Sequence, residues 1–452
     1  MQQKYIFVLL LANIFSTQLS AQQLTTPLSY QQARAWAASK HSKSLASTIK
    51  EAIAEQAFKE EQASFLPQVY ADANLQRNLI IPVTPVPAIA FDPTAAEGAL
   101  LPLRFSTNWT ANMGVNAQVE VFNPQRKSRL SQAKIKREQA ILNTAEERLL
   151  LEQAVSTAYA EGLIALEQQV LATADTLAKY AHWKVAQLQF SAGRQTIITV
   201  NQLQADLNTS RINLADAERI EKLAAAKLRY TLGLNPRLDA PLAYADSLLS
   251  LVAFYKRQEE RTENDLIAGK YSLENRLLQA QVKELSQAYL PTLSLKGYYG
   301  ANYYDNSFQL FKSQQWNGNS YVALGLRIPL FENWDRFKKI NQYRLQVQQN
   351  ELLQQDEKFK NTLDYIEAQG LAVQHLKALE TAQKNLSLAQ QNFNLSSTQF
   401  REGMLLISEL QQSSYQYSVA RNAYLNAAYH YLTAAIKMEF TIRKDSLVSG
   451  NS

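Results

Sequence analysis

The stretch Trp109-Thr110-Ala111-Asn112-Met113-Gly114-Val115-Asn116-Ala117-Gln118-Val119-Glu120-Val121-Phe122 alternates between two kinds of side chain. Trp109, Ala111, Met113, Val115, Ala117, Val119 and Val121 share one parity; Thr110, Asn112, Gly114, Asn116, Gln118 and Glu120 share the other. Successive side chains of a strand point to opposite faces, so a period of two predicts a strand with one apolar face and one amide-rich face. An ordinary strand has about 5 or 6 residues, whereas a tilted strand crossing a bilayer needs roughly 9 to 11. The length favours the wall of a water-filled barrel, with the apolar face toward lipid and the amides toward the lumen.

Working outward, Val69, Ala71, Ala73 and Leu75 alternate with Tyr70, Asp72, Asn74 and Gln76, which predicts a partner strand over 67–77, the second strand covering 108–122. The proline-rich segment from Ile81 to about Asn108 between them reads as a long loop. A helical pattern from Leu28 to Ser64 precedes the first strand and stops at Pro67. After Pro124 there is no proline until Pro236, and Leu151, Val155, Ala158, Gly162, Leu163, Leu166 and Val170 recur at helical spacing. This is the seam of a packed helix in which small residues allow close approach. From Gln125 to Ser191 such a helix is about 100 Å long, too long for a compact domain. Gly193 interrupts the pattern and a second helix runs from Thr196 to Tyr230, giving a helical hairpin over 125–232.

The second half repeats the order. A charged helix from Ser247 to Ala288 ends in Leu290-Pro291, as the first ends in Leu66-Pro67. Strands are expected at 291–304 and 319–330, the latter ending Leu330-Phe331, and a second hairpin at 333–440. Its break, Phe400-Arg401-Glu402-Gly403, matches Phe190-Ser191-Ala192-Gly193. Landmarks in the same order mark an internal duplication, with repeats at 22–236 and 247–440, a linker at 237–246 and a C-terminal tail at 441–452. Four strands cannot close a membrane sheet, and bacterial barrels have at least eight. The chain must therefore assemble with copies of itself: two give a barrel filled by side chains, three a twelve-strand channel.

The N-terminus has Lys4, an apolar run from Ile6 to Phe15, and then Leu19-Ser20-Ala21. That order predicts a secretory signal peptide over 1–21. No later stretch is apolar for long enough to form a transmembrane helix. The absence of cysteine excludes a disulfide framework, a thiolate metal site and a lipidated N-terminal cysteine. With 46 basic and 40 acidic residues interleaved, nucleic acid is not an expected partner. His41, His182, His375 and His430 are far apart in sequence and read as helix-surface residues, with no metal and no cofactor expected. Acidic pairs such as Glu146-Glu147 are neighbours that do not face each other on a helix. No phosphate loop or nucleophile elbow occurs, so an enzyme is not expected.

Several short motifs carry a resemblance: Ser29-Tyr30-Gln31-Gln32-Ala33-Arg34, the two Leu-Pro helix ends, Val119 to Phe122, Ile328 to Phe331, and the hairpin tips Phe190 to Leu203 and Phe400 to Leu410. Each is weak alone, but in this order they resemble the TolC family of outer membrane efflux proteins over nearly the whole mature chain. The resemblance implies an α+β membrane protein: a trimeric twelve-strand outer membrane β-barrel, four strands per chain, continued by a long periplasmic α-helical coiled-coil barrel. It implies an exit duct for efflux or type I secretion in a Gram-negative envelope. The partners implied are a homotrimer, outer membrane lipid, a periplasmic adaptor (membrane fusion) protein and an inner-membrane transporter of RND, ABC or MFS type. Relatives narrow the tunnel with Asp rings near the tips, and the matching positions are Glu409 and Gln412, with Thr199 and Gln202 in the first repeat. Only Glu409 keeps a carboxylate, and threefold symmetry would gather three of them around one axis, favouring cations. Gly193, Arg194, Gly403 and Met404 are the expected adaptor-docking tips. Trp109, Tyr299, Tyr303 and Tyr321 are the expected membrane-interface aromatics, among strand aromatics that also include Tyr298. A structural or adhesive coiled-coil protein of the envelope, without transport activity, is the competing reading.

Overall fold

The computed structural model describes residues 27–237, 242–257, 266–312, 315–330 and 334–446. The expected signal peptide, Phe331, part of the linker and the end of the tail lie outside the described residues. The elements are α1 (Tyr30–Lys40), α2 (Ser42–Ala63), β1 (Gln68–Arg77), β2 (Thr84–Pro87), β3 (Leu100–Leu103), β4 (Trp109–Phe122), α3 (Gln125–Ser191) and α4 (Ile197–Thr231), followed by α5 (Leu248–Lys256), α6 (Leu266–Gln287), β5 (Thr292–Asp305), β6 (Trp316–Arg327), α7 (Asp335–Arg401) and α8 (Ile407–Ser446).

Five points differ in detail from the sequence expectation. The opening helix is broken at His41, whose extended backbone caps α1; Gly233, at positive φ after α4, packs against the His41 ring. The proline-rich loop contains a short antiparallel pair, β2 with β3. The last strand spans Trp316–Arg327, and the final helix continues to Ser446. In β4 the register shifts between Glu120 and Phe122, so Phe122, not Val121, faces Leu293. An extra residue of this kind ends the strict alternation at the strand's rim.

Compactness does not follow the sequence repeats. Among the described residues, one unit takes those up to Thr48, Asn143–Ile267 and those from Asp356; the other takes Ile49–Leu142 and Ala268–Gln355. Each unit draws on both repeats. In the second unit the reason is the sheet, whose order β1-β4-β5-β6 joins the two repeats through β4 and β5. All three pairings are antiparallel, and their registers align the apolar parities of the four strands. Val69, Met113, Val115, Tyr299, Val322 and Leu324 are exposed on that common face. The helices of this unit meet at Ile135, Leu277 and Ala280, with Gln139 donating to Glu274 at 2.9 Å and Arg129 pairing with Glu284 at 2.8 Å.

In the first unit both repeats open with a capping box, Ser29 with Gln32 and Ser247 with Ser250. Each satisfies backbone donors that the first helical turn leaves without partners. Leu28 and the segment Ala243–Ala245 bond to each other, Leu28 N–H to the Ala243 carbonyl at 2.9 Å and Ala245 N–H to the Leu28 carbonyl at 3.0 Å. The linker is therefore paired backbone where it is described. Asp246 accepts from the Tyr30 N–H at 2.6 Å and the Tyr159 hydroxyl at 3.1 Å. Tyr244 lies over Gly162, where a Cβ would stand 2.1 Å from the Tyr244 hydroxyl. The small residue in the helix seam admits a ring from the linker.

Both hairpins end identically. Gly193 and Gly403 have φ of 71° and 78°. The Gly193 N–H donates to the Phe190 carbonyl and the Arg194 N–H to the Gln189 carbonyl, at 2.9 and 2.8 Å. Gly403 and Met404 repeat the pattern on Phe400 and Gln399 at 3.0 and 2.9 Å. This is a Schellman stop, whose left-handed residue carries no steric penalty only in glycine. Because a Cβ at either position would meet nothing within 4 Å, conformation and not crowding makes the requirement. Gly193→Ala and Gly403→Ala should each destabilise the protein by about 1–2 kcal/mol, read as a lower melting midpoint; no change in either variant would contradict this assignment.

Candidate functional site

The tips of the two hairpins share one core. Ala186 of α3, Val200 and Leu203 of α4, Phe393 and Phe400 of α7, and Leu410 and Tyr417 of α8 are buried together. Phe393 stacks on Tyr417 with ring centroids 5.4 Å apart and planes 3° from parallel. Gln411 donates to Asp206 at 2.9 Å, tying α8 to α4. Outside this core Ile198, Met404 and Leu406 are exposed, as are Arg194 and both tip glycines.

The constriction candidates divide. Glu409, Gln412 and Gln202 are exposed. Glu409 occupies the first turn of α8, where its carboxylate also interacts favourably with the helix dipole. Thr199 is buried, with its hydroxyl 3.2 Å from that of Thr196, the residue that caps α4. In this chain Thr199 is a helix-start residue turned into the tip core, and it does not share the exposure of the other three.

The histidines divide: His430 is exposed and His375 half-buried, as expected of helix-surface residues, whereas His41 and His182 are buried. His375 and His430 stack across α7 and α8 with centroids 5.3 Å apart. His182 is buried between Phe393 and Phe400, at 5.8 and 6.1 Å. Among the described residues no group of three or more His, Cys, Asp or Glu side chains is arranged to hold a metal ion.

A second cluster ties the start of the first repeat to the last helix. Arg34 donates to Glu439 at 2.8 Å and to Glu152 at 3.1 Å, and Arg443 to Glu152 at 2.7 Å. Tyr255 donates to Glu439 at 3.0 Å, and the Tyr30 and Tyr255 hydroxyls are bonded to each other. Burial raises both tyrosine pKa values above their ordinary value, keeping the hydroxyls protonated as donors. Charges in such a setting are tolerable because each carboxylate meets a guanidinium. The motif Tyr30 to Arg34 thus has a packing role that its sequence pattern did not disclose.

On the sheet, the four aromatic candidates do not form one group. Tyr299 is 77% exposed on the apolar face. Trp109, on the same face, is half-buried, 4.8 Å from Phe308 and capped by the Arg77 guanidinium at 5.4 Å. Tyr303 has 0% exposure; its hydroxyl donates to the Ser307 carbonyl and accepts from the Gln309 N–H, both at 2.9 Å. It holds the β5–β6 loop and is not presented to lipid. Tyr321 pairs with Tyr298 and stacks on it, which puts it on the amide-rich face. Alternation alone separates Tyr298 from Tyr299 and Tyr321 from Val322, and the register brings Tyr298 and Tyr321 side by side.

No helix among the described residues is long and apolar enough to cross a membrane. An apolar and an amide-rich face on strands of 14, 14 and 12 residues suit a barrel wall. Residues 37–234 match the model of a family described as outer membrane efflux protein. The match covers less than half of the chain and is with the class of protein that the sequence motifs resemble. A comparison with curated protein sequences finds no match. The fold is similar to that of the outer membrane protein VceC from Vibrio cholerae, with a TM-score of 0.66, 12% identity, and coverage of 91% of this chain and 95% of that one. The Campylobacter jejuni CmeC outer membrane channel gives 0.69 at 14% identity, covering 93% and 87%. The open state of the Neisseria gonorrhoeae MtrE outer membrane channel gives 0.67 at 15% identity, covering 91% and 88%.

Burial of His182 depresses its pKa to about 4; Arg401 and Lys179 add to the depression and Asp175 opposes it. A folded-state pKa below the unfolded value of about 6.5 means that stability is complete above that value and is lost as the pH falls toward 4. Melting temperature should therefore decline between about pH 6.5 and 4, and His182→Leu should flatten part of that decline. An identical pH profile in the variant would exclude His182 as a source.

Proposed function

We propose that three copies of this chain close a twelve-strand barrel in the outer membrane and form the exit duct of a tripartite efflux or secretion system. The carrying observation is the sheet with two free edges. β1 and β6 end the order β1-β4-β5-β6, and an open edge in lipid leaves backbone donors and acceptors unsatisfied at several kcal/mol each. β6 runs antiparallel to the direction of β1, so β1 of a neighbouring copy continues the same alternation. Three copies make a barrel wide enough for a channel. The exposed apolar face supports lipid contact, and the exposure of Tyr299 there, with half-buried Trp109 on the same face, supports a place at the membrane interface.

The helical hairpins extend into the periplasm on this reading, after removal of residues 1–21 as a signal peptide and without lipidation. Their tips dock a periplasmic adaptor that connects the duct to an inner-membrane transporter. Exposed Arg194, Ile198, Met404 and Leu406 beside two rigid glycine stops support a docking role. Around the threefold axis Glu409 forms an acidic ring, with Gln412 and Gln202 as neutral neighbours.

Purified trimer in a planar bilayer should give discrete conductance steps; a verified folded trimer that gives none would return the protein to the structural coiled-coil class. Glu409→Gln should lower the cation preference of the open channel, measured as a reversal potential under a salt gradient, by about twofold or more. An unchanged reversal potential would take Glu409 out of the pore.

A further inference from the structure

The amide-rich face of the sheet carries an aromatic feature that its apolar face does not explain. One cross-strand row consists of Tyr70, Asn116, Tyr298 and Tyr321. The Tyr298 and Tyr321 rings stack at 5.5 Å with planes 24° apart. Tyr298 lies flat across the wall because the next row provides two glycines, Gly114 paired with Gly300. A Cβ would stand 2.6 Å from the Tyr298 ring at Gly114 and 2.5 Å from its hydroxyl at Gly300, so any larger residue at either position would displace the ring. Its hydroxyl reaches back to the Met113 carbonyl at 3.4 Å. Tyr321, 51% exposed, completes a fixed aromatic surface open to the side where the barrel's water would be.

The charges on this face are uneven. Asp72 accepts a hydrogen bond from Asn116. Glu120 accepts from Asn123 at 2.8 Å and pairs with Arg126 at 3.4 Å. Lys296 and Arg327 have the same parity as Tyr298 and Tyr321 on their own strands, are exposed, and have no side-chain hydrogen bond or ion pair among the described residues. Lys296 is two residues from Tyr298, about 7 Å along the strand, and the residue opposite it is the short Ala323. Lys296 thus lies one row from Tyr298 on the side away from the Gly114–Gly300 pair, flanked across the strands by Ala323 and Gln118.

Resting on the channel reading above, we propose that Tyr298, Tyr321 and Lys296 form a weak binding site on the lumen wall for planar aromatic anions, aryl carboxylates or sulfonates. The aryl ring stacks in offset fashion on the tyrosine pair, and its acidic group meets the Lys296 ammonium, a distance that a two-ring aromatic with one acidic substituent spans. Threefold assembly gives three such sites at one level. The site takes cargo of opposite charge to that favoured by an acidic ring at the tips, and it acts at the exit by holding a passing molecule briefly.

The test is single-channel recording from the trimer with 2-naphthalenesulfonate on one side and methanesulfonate as the non-aromatic control. Brief blocked states are expected with the naphthalene compound and not with methanesulfonate. Tyr321→Ser should shorten the blocked time about two- to tenfold, the range expected for one aromatic pair. Lys296→Gln should shorten it as well, and Lys296→Arg should restore it. Equal block by both anions, or unchanged blocked times in Tyr321→Ser or in Lys296→Gln, would overturn the proposal. Both variants alter exposed side chains and leave Tyr298 on its glycine pair, and trimer mobility with unchanged conductance verifies their folding. A folded trimer without conductance steps refutes the channel reading itself, a result distinct from a conducting channel that shows no selective block.

Discussion

Hydrogen bonding at the two ends of one sheet governs everything else in this protein. Inside the sheet every neighbouring pair of strands is joined by an antiparallel ladder, but β1 and β6 each have a ladder on one side alone. In water an exposed edge is an aggregation hazard; in hydrocarbon it has no solvent to satisfy it. A chain that places an apolar face on such a sheet is committed to partners with the same strands. On the proposed reading assembly and lumen follow from that deficit, and the amide-rich face acquires an inside only when the edges meet.

The helical regions answer a different constraint. Helices of 67 residues cannot be stabilised by one compact core, so they rely on repeated small-residue contacts and a few concentrated clusters. The tip core joins four helices through stacked aromatics and a buried histidine. The Tyr30, Arg34 and Glu439 cluster fixes the opening helix to the last one. Between these points the helices also expose apolar side chains such as Leu177, Leu352, Leu363 and Leu388.

Much of this was legible from residue order. Alternation from Trp109 onward gave β4 almost to the residue, because side-chain parity in a strand is local. Proline spacing located the hairpins and glycine their stops, since backbone freedom is also local. What failed were statements about three-dimensional neighbours. Tyr303 and Tyr321 have strand aromatics' sequence context, yet one is sealed under a loop and the other turns to the amide face. Thr199 matches a tip position by count but sits at a capped helix start, facing the core. His375 and His430, remote in sequence, stack on each other.

By itself the sequence determined the elements and the polarity of each strand, because these depend on the period of side chains along a single chain. Only the tertiary structure decided that the two repeats share one sheet through β4 and β5, and that glycines on adjacent strands make room for Tyr298. Those outcomes depend on register, which is set by pairing between segments nearly two hundred residues apart. A shift of one residue would exchange the faces, and with them lipid contact for lumen.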